Sequence, residues 1–256
     1  MNKTLIYDLP TRLFHWIFAA LFVSAFAIAK LVDDESVIFS YHMILGLTMA
    51  VAVGFRIIWG LLGSKHARFI NFNLNPISLF EYFHDLFTGK TKLYPGHNPA
   101  SSWAALVMMF LALGLAFSGI QMTKGNGNEL FEEVHEVFGN LFLFTVIGHV
   151  LGVIIHTVRH KEMIGLSMMT GAKTTAAAVD GIQSSHILVG IVFLGIIGGF
   201  SSTAYKNFDP NSRTLNLMGN SLHLAKEEDH EHSKQDGVEK SGESGSDAAD
   251  EDSDHD

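Results

Sequence analysis

Five stretches of the chain stay apolar for about the 20 residues that one helical crossing of a bilayer requires. They are Leu13 to Val32, Tyr41 to Leu62, Trp103 to Met122, Val134 to Val158 and Ile182 to Ala204. Each predicts a membrane-spanning helix. The first begins "DLPTRLFHW" and ends "AIAKLVDDE", which reads as a retained span rather than a cleaved signal peptide. Between the second and third spans, "NPISLFEYFHDLF" offers a helix start at Asn75 and Pro76, and Ile77, Phe80, Phe83 and Phe87 recur at helical spacing. That segment is too short and too polar to cross, so it predicts a helix lying in the interface. "KLYPGHNPASSW" follows as a turn-rich entry to the third span. The fold class expected is an all-α membrane protein.

Composition agrees, with 48% hydrophobic residues, 20 Phe and only 17% charged residues. Cysteine is absent, which excludes disulfides, cysteine-ligated iron–sulfur clusters, thiolate zinc sites and the covalent attachment of a c-type haem. Any metal or haem must therefore be held by His, Met or carboxylate. The net charge of −9 is concentrated at one end, since residues 226–256 carry 13 acids against 3 bases and leave the remainder near +1. With one Val as its only large aliphatic residue, that tail has too little apolar surface to order itself.

Loop charge predicts orientation. Lys3 and Arg12 precede the first span, Lys65, Arg68, Lys90 and Lys92 lie between the second and third, and Arg159, Lys161 and Lys173 follow the fourth. The other connections carry Asp33, Asp34 and Glu35, or Glu129, Glu132 and Glu133, with only Lys30 and Lys124 as bases. The positive-inside rule puts the N-terminus in the cytoplasm and the acidic tail outside.

Ionisable side chains within spans are costly and are functional candidates by default. His135 and His149 are 14 residues apart, nearly four whole turns, so they share a helix face about 21 Å apart along the axis. His156 roughly keeps that face. His42 and Arg56 repeat the 14-residue spacing in the second span, which runs in the same direction as the fourth. The first span runs the other way, with His15 near its inner end. Two levels follow: His42 with His135 outside, and His15 with His149 or His156 inside.

Opposed neutral imidazoles are what bis-His haem b ligation needs. "HMILG" and "HEVFG" place Gly46 and Gly139 one turn from His42 and His135, where a missing side chain admits the edge of a macrocycle. Arg56 is a candidate donor to a haem propionate, or a residue that snorkels to the headgroups. His156 competes between ligation, contact with propionate or quinone, and interfacial solvation. His66, His84, His97, His160 and His186 read as solvated residues. The Met108–Met109 and Met168–Met169 pairs read as apolar filling, and His223, His230, His232 and His255 as a loose cluster in the tail.

Five segments, "YDLPTRLFHW", "YHMILGL", "FRIIWGLLGSKHARF", "YPGHNPASSWAAL" and "EVHEVFGN…GHVLGVIIHTVRHKE", occur in order over about residues 5–170. With them the chain resembles the bacterial b561-type dihaem membrane cytochromes, a family that includes the cytochrome b subunits of membrane-bound nickel hydrogenases. The resemblance implies a four-helix bundle with two haem b groups, ligated by His15 with His149 and by His42 with His135, leaving His156 outside the ligand set. The expected division is a four-helix dihaem domain over 1–170, a linker and fifth helix over 171–205, and a disordered, acidic, His-containing tail over 206–256.

The function expected is electron transfer across the bacterial inner membrane, between the quinone pool and a periplasmic redox partner such as a c-type cytochrome, towards which an acidic tail would steer a basic surface. The inner loop with Lys65, His66 and His97 is the candidate region for the quinone. Membrane lipid is the expected surrounding, and no nucleic-acid partner is expected. One rival is a self-contained oxidoreductase acting on superoxide or ferric complexes at the outer haem, which the acidic outer loops disfavour. Another is a non-redox metal transporter, whose buried carboxylates are missing from the spans apart from Glu136.

Overall fold

The computed structural model describes residues 2–89, 94, 96–123, 129–160, 164–175, 180–217 and 219–224. Among them, five helices are long and apolar enough to cross a membrane: α1 (Leu9–Leu31), α2 (Ser40–Leu62), α4 (Pro99–Met122), α5 (Glu129–His160) and α7 (Ile187–Lys206). Two shorter helices join them, α3 (Pro76–Thr88) and α6 (Ile164–Thr170). β1 (Asn2–Leu5) pairs antiparallel with β2 (Ala172–Thr175), so the chain start is tied to the segment after α6.

Three helices begin at the same local signal, an Asp or Asn cap with Pro in the first helical turn. The Asp8 carboxylate accepts from Thr11 N at 2.9 Å, Asn75 Oδ1 from Ile77 N at 2.9 Å, and Asn98 Oδ1 from Ser101 N at 2.7 Å. Each cap serves a backbone donor that the first turn cannot serve itself, and each proline occupies a position where its missing N–H is not needed. For this reason α1 starts at Leu9, four residues before the point where apolar length alone would put it. Conversely, α7 starts only at Ile187, because Ile182 N donates to Leu5 O and Leu9 N to Ser185 O, which hold the preceding segment in an extended path.

The helices pack α1 on α2, α2 on α4, α4 on α5, and α7 on α1 and α2. Their shared interior is aromatic. Phe142 of α5 is fully buried, stacked on Phe22 of α1 at 4.3 Å between ring centroids and tilted against Phe18 at 5.7 Å. Phe193 of α7, also fully buried, stacks on Phe55 of α2 at 4.4 Å. The outer faces, with Phe110, Phe117, Phe144, Leu188 and Ile191, are exposed and apolar, as hydrocarbon surroundings require. On α3, Ile77, Phe80, Phe83 and Phe87 are exposed while Tyr82 and Leu86 are buried against the bundle, the two-sided pattern of an interfacial helix.

Asp8 has a second role besides the cap. It is fully buried, and accepts from Trp59 Nε1 at 3.1 Å and from Ser64 Oγ as well as from Thr11 N. One carboxylate thus fastens the start of α1 to the end of α2. Arg56, one turn before Trp59, is buried too, donating to Ala67 O at 2.9 Å with its guanidinium among Phe14, Phe69 and Phe72. It does not snorkel.

The sequence expectation of a disordered tail from residue 206 is corrected for Phe208 to Leu224. A three-stranded antiparallel sheet forms there from β3 (Phe208–Asp209), β4 (Thr214–Leu217) and β5 (Asn220–His223). Phe208, Leu215, Leu222 and Leu224 are buried against Ile44 and Leu47 of α2 and Ala204 of α7. The alternation in "TLNL" and "NSLHL" supplies one apolar face, and Gly219, at φ +82°, provides the left-handed turn between β4 and β5. The strongly acidic composition begins only after Leu224, outside the described residues.

Replacing Asp8 by Ala removes a cap and strands two buried donors, so thermal unfolding in detergent should show a loss of about 3 kcal/mol. Asp8→Asn keeps an oxygen for Thr11 N but replaces the oxygen that accepts from Trp59 and Ser64 by an amide NH2, so it should lose less than Asp8→Ala; equal losses would show that the cap carries little and that the bonds to Trp59 and Ser64 carry the stabilisation.

Candidate functional site

Two cavities lie along the bundle, and each receives one of the His pairs read from the sequence. The first, of about 340 Å³, is lined by His42 of α2 and His135 of α5, with walls from α1 and α4. The second, of about 400 Å³, is lined by His15 of α1 and His149 of α5. Phe22 lines both.

In the first cavity the chain itself sets the imidazoles. His42 Nδ1 lies 2.8 Å from the Ala25 carbonyl, which can only accept, so Nδ1 carries the proton. His135 Nδ1 lies 3.0 Å from Ser118 Oγ, whose own hydrogen is directed to Gly114 O at 2.9 Å, leaving an oxygen lone pair for the ring N–H. In each ring Nε2 is then the bare nitrogen, the tautomer a metal ligand requires. The ring centroids are 6.0 Å apart. Two imidazoles sharing one metal at about 2 Å from each nitrogen have centroids about 6 Å apart.

A Cβ added to Gly46 or Gly139 would meet nothing within 4 Å, and both residues line this cavity. Gly119 also lines it, where a Cβ would sit 3.5 Å from the His135 ring. Gly114 is different in kind. A Cβ there would fall 2.2 Å from the Phe138 ring, so close packing and not cofactor space accounts for it. Among the described residues no three His, Asp or Glu side chains gather as a metal-ion cluster. A site built from two imidazoles, apolar walls and open glycines fits a flat, largely apolar macrocycle.

In the second cavity His15 Nδ1 is buried without a hydrogen-bond partner, an unserved polar atom of the kind a bound group or ordered water satisfies. His156 lines the same cavity, but it is buried rather than interfacial: Tyr82 Oη is 3.3 Å from its Nδ1, and Asn98 Nδ2 donates to the same hydroxyl at 3.1 Å. Burial pushes the Tyr82 hydroxyl pKa upward, which keeps it a donor. α3, folded over this end of α5, is what removes His156 from the surface.

His97 also departs from the expectation of a solvated residue. It lines the second cavity, edge-on to Tyr7 at 5.2 Å and tilted on Phe72 at 4.8 Å. Burial, and then the Arg56 charge, push its pKa down to about 3, so it is neutral at physiological pH. Lys173 shares the cavity and donates to Gly96 O at 2.9 Å. His66 is held outside, 2.9 Å from Asp180 O beside the Lys65–Asp180 ion pair. His186 starts α7 in the left-handed region and packs edge-on to Trp59. Arg56 lines neither cavity, so the sequence expectation of a cofactor contact finds no direct placement, although its charge reaches His97.

His223 was missed as a site residue. It stands on β5 at the first cavity, and the polar run just before the acidic stretch did not mark it; only the strand alternation of "NSLHL" was available as a signal.

The chain is 24% identical over 213 residues to a probable Ni/Fe-hydrogenase B-type cytochrome subunit of Bradyrhizobium diazoefficiens, a match covering 74% of this chain and 84% of the relative. It is 25% identical over 221 residues to a protein of the same description from Rhodobacter capsulatus, covering 74% and 79%. No solved structure matches. The family model described as prokaryotic cytochrome b561 matches residues 6–171, which takes in α1 to α6 and leaves α7 and the sheet β3 to β5 beyond it. The chain thus belongs to the prokaryotic cytochrome b561 family, as a multi-pass membrane b-type cytochrome that binds haem b and works in electron transfer.

Proposed function

We propose that this protein is a transmembrane electron conduit of the bacterial inner membrane, with two bis-His haem b groups. His42 and His135 would hold one, and His15 and His149 the other. The carrying observation is the first His pair: facing imidazoles, each with Nδ1 engaged by the protein, in a cavity opened by Gly46 and Gly139. The second cavity supports a second site by its matching pair. When bound, the haem groups supply one-electron redox chemistry.

The protein's part is orientation and exclusion of water. Ala25 O and Ser118 Oγ fix the His42 and His135 rings, and Phe22, stacked on Phe142 behind it, forms a dry wall of their cavity. His156, held by Tyr82, is read as a positioning residue at the second cavity and not as a ligand.

Loop charge supports an N-terminus in the cytoplasm, which puts the His42 cavity toward the periplasm. The exposed Asp33, Asp34, Glu35, Glu132 and Glu133 there suit a partner with a basic surface. That partner is read as a peripheral redox protein, a c-type cytochrome or, by likeness to the relatives' description, a hydrogenase. Quinone is the membrane-side redox substrate in this reading.

Purified protein should show a non-covalent, low-spin haem b spectrum with two haems per chain; a haem-free protein would remove the reading altogether. His42→Ala and His135→Ala should each leave one haem, and His15→Ala and His149→Ala should each leave the other. Retention of both haems by any of the four reassigns that ligand, and His156→Ala should keep both. Gly139→Phe, filling space that is open beside His135, should lower haem content to one per chain with no change in helical circular dichroism. Reduction by quinol should reach a soluble cytochrome only when that protein is added; rapid transfer to superoxide or ferric chelates without it would favour a self-contained oxidoreductase.

A further inference from the structure

Each cavity holds a Lys and further His besides its pair of candidate ligands: Lys173, His97 and His156 in one, Lys30 and His223 in the other. The second set is the informative one, because the rest of the charged lining is acidic, with Asp34, Glu132 and Glu136. Among the described residues lining that cavity, Lys30 and His223 are the only basic side chains apart from the candidate ligands His42 and His135.

The sheet that presents His223 is firmly seated. Leu215 is fully buried in the contact with α2, Leu224 N donates to Arg213 O at 2.8 Å, and the Arg213 guanidinium donates to the Glu35 carbonyl in the α1–α2 connection. Leu222 and Leu224 are buried on one side of the strand, while His223 between them is exposed at the cavity. The sheet therefore fixes where the imidazole stands.

Haem b carries two carboxylates, and a carboxylate entering an acidic-walled, low-dielectric space needs a donor or a cation. We infer that His223, together with Lys30, forms the carboxylate-binding edge of the His42 cavity, which makes the C-terminal sheet an integral part of a cofactor site. This rests on the dihaem reading above. His223 then acts on the propionates and leaves the iron to His42 and His135, so its removal should change retention and potential without changing ligation.

The test uses full-length His223→Ala and His223→Gln proteins. With His223→Ala, one of the two haems should transfer to apomyoglobin about ten-fold faster, the effect of losing one charge-assisted hydrogen bond. The midpoint potential of that haem should fall, because an unpaired propionate favours the ferric state. The second haem should be unchanged, low-spin spectra should persist at both sites, and His223→Gln, which keeps a donor, should lie between. Reconstitution with haem dimethyl ester, which lacks the carboxylate charges, should abolish the difference between wild type and His223→Ala.

Unchanged transfer and potential in both variants, a difference that persists with the ester, or loss of the low-spin signature at one site would each overturn the inference. Wild-type protein without haem would instead strike the dihaem reading on which it depends.

Discussion

Everything in this bundle depends on satisfying polar groups where water is scarce. An imidazole inside an apolar span is costly when it is alone, so each one must be bonded by its neighbours or by a cofactor. His42 and His135 show how the chain divides that demand: one ring nitrogen is bonded within the protein, to Ala25 O or Ser118 Oγ, and the other is turned to the cavity. The helix positions follow from this. α1 must bring a carbonyl to His42, and α4 a hydroxyl to His135, before the two rings can face each other at 6.0 Å. The hydrogen bonds between helices and the geometry of the candidate site are the same contacts.

At the opposite end the same demand is met by a carboxylate. Asp8 serves donors from α1, α2 and the segment after it, and the buried Arg56 is enclosed by aromatic rings. A buried carboxylate is tolerated because its oxygens are fully engaged. It fixes the α1–α2 crossing at one end while the Ala25–His42 bond fixes it at the other, and two such points suffice to set the register of the two helices. His15, in the second turn of α1, inherits its position from this arrangement.

The sequence was most legible where a strong physical constraint acts locally. The length of the apolar runs found all five crossing helices, the Asn75–Pro76 start found α3, and the 14-residue spacing placed His135 and His149 in separate cavities. What escaped depended on contacts between distant segments. "YPGHNP" reads as an exposed turn until Tyr7 and Phe72 close on His97, and His156 reads as interfacial until α3 covers it. The sheet over 208–224 escaped because its apolar alternation is brief and an acidic stretch follows directly. Arg56 is buried among aromatic rings, and a 14-residue spacing from His42 does not say which of them will surround it.

The stacked pair Phe22 and Phe142 remains. Phe22 borders both cavities, so the partition between them is about one aromatic ring thick there. A close-packed ring cannot yield on one side without moving on the other. Phe22 therefore sets the dimensions of both cavities at once, and a larger or smaller residue at that one position would change the two together.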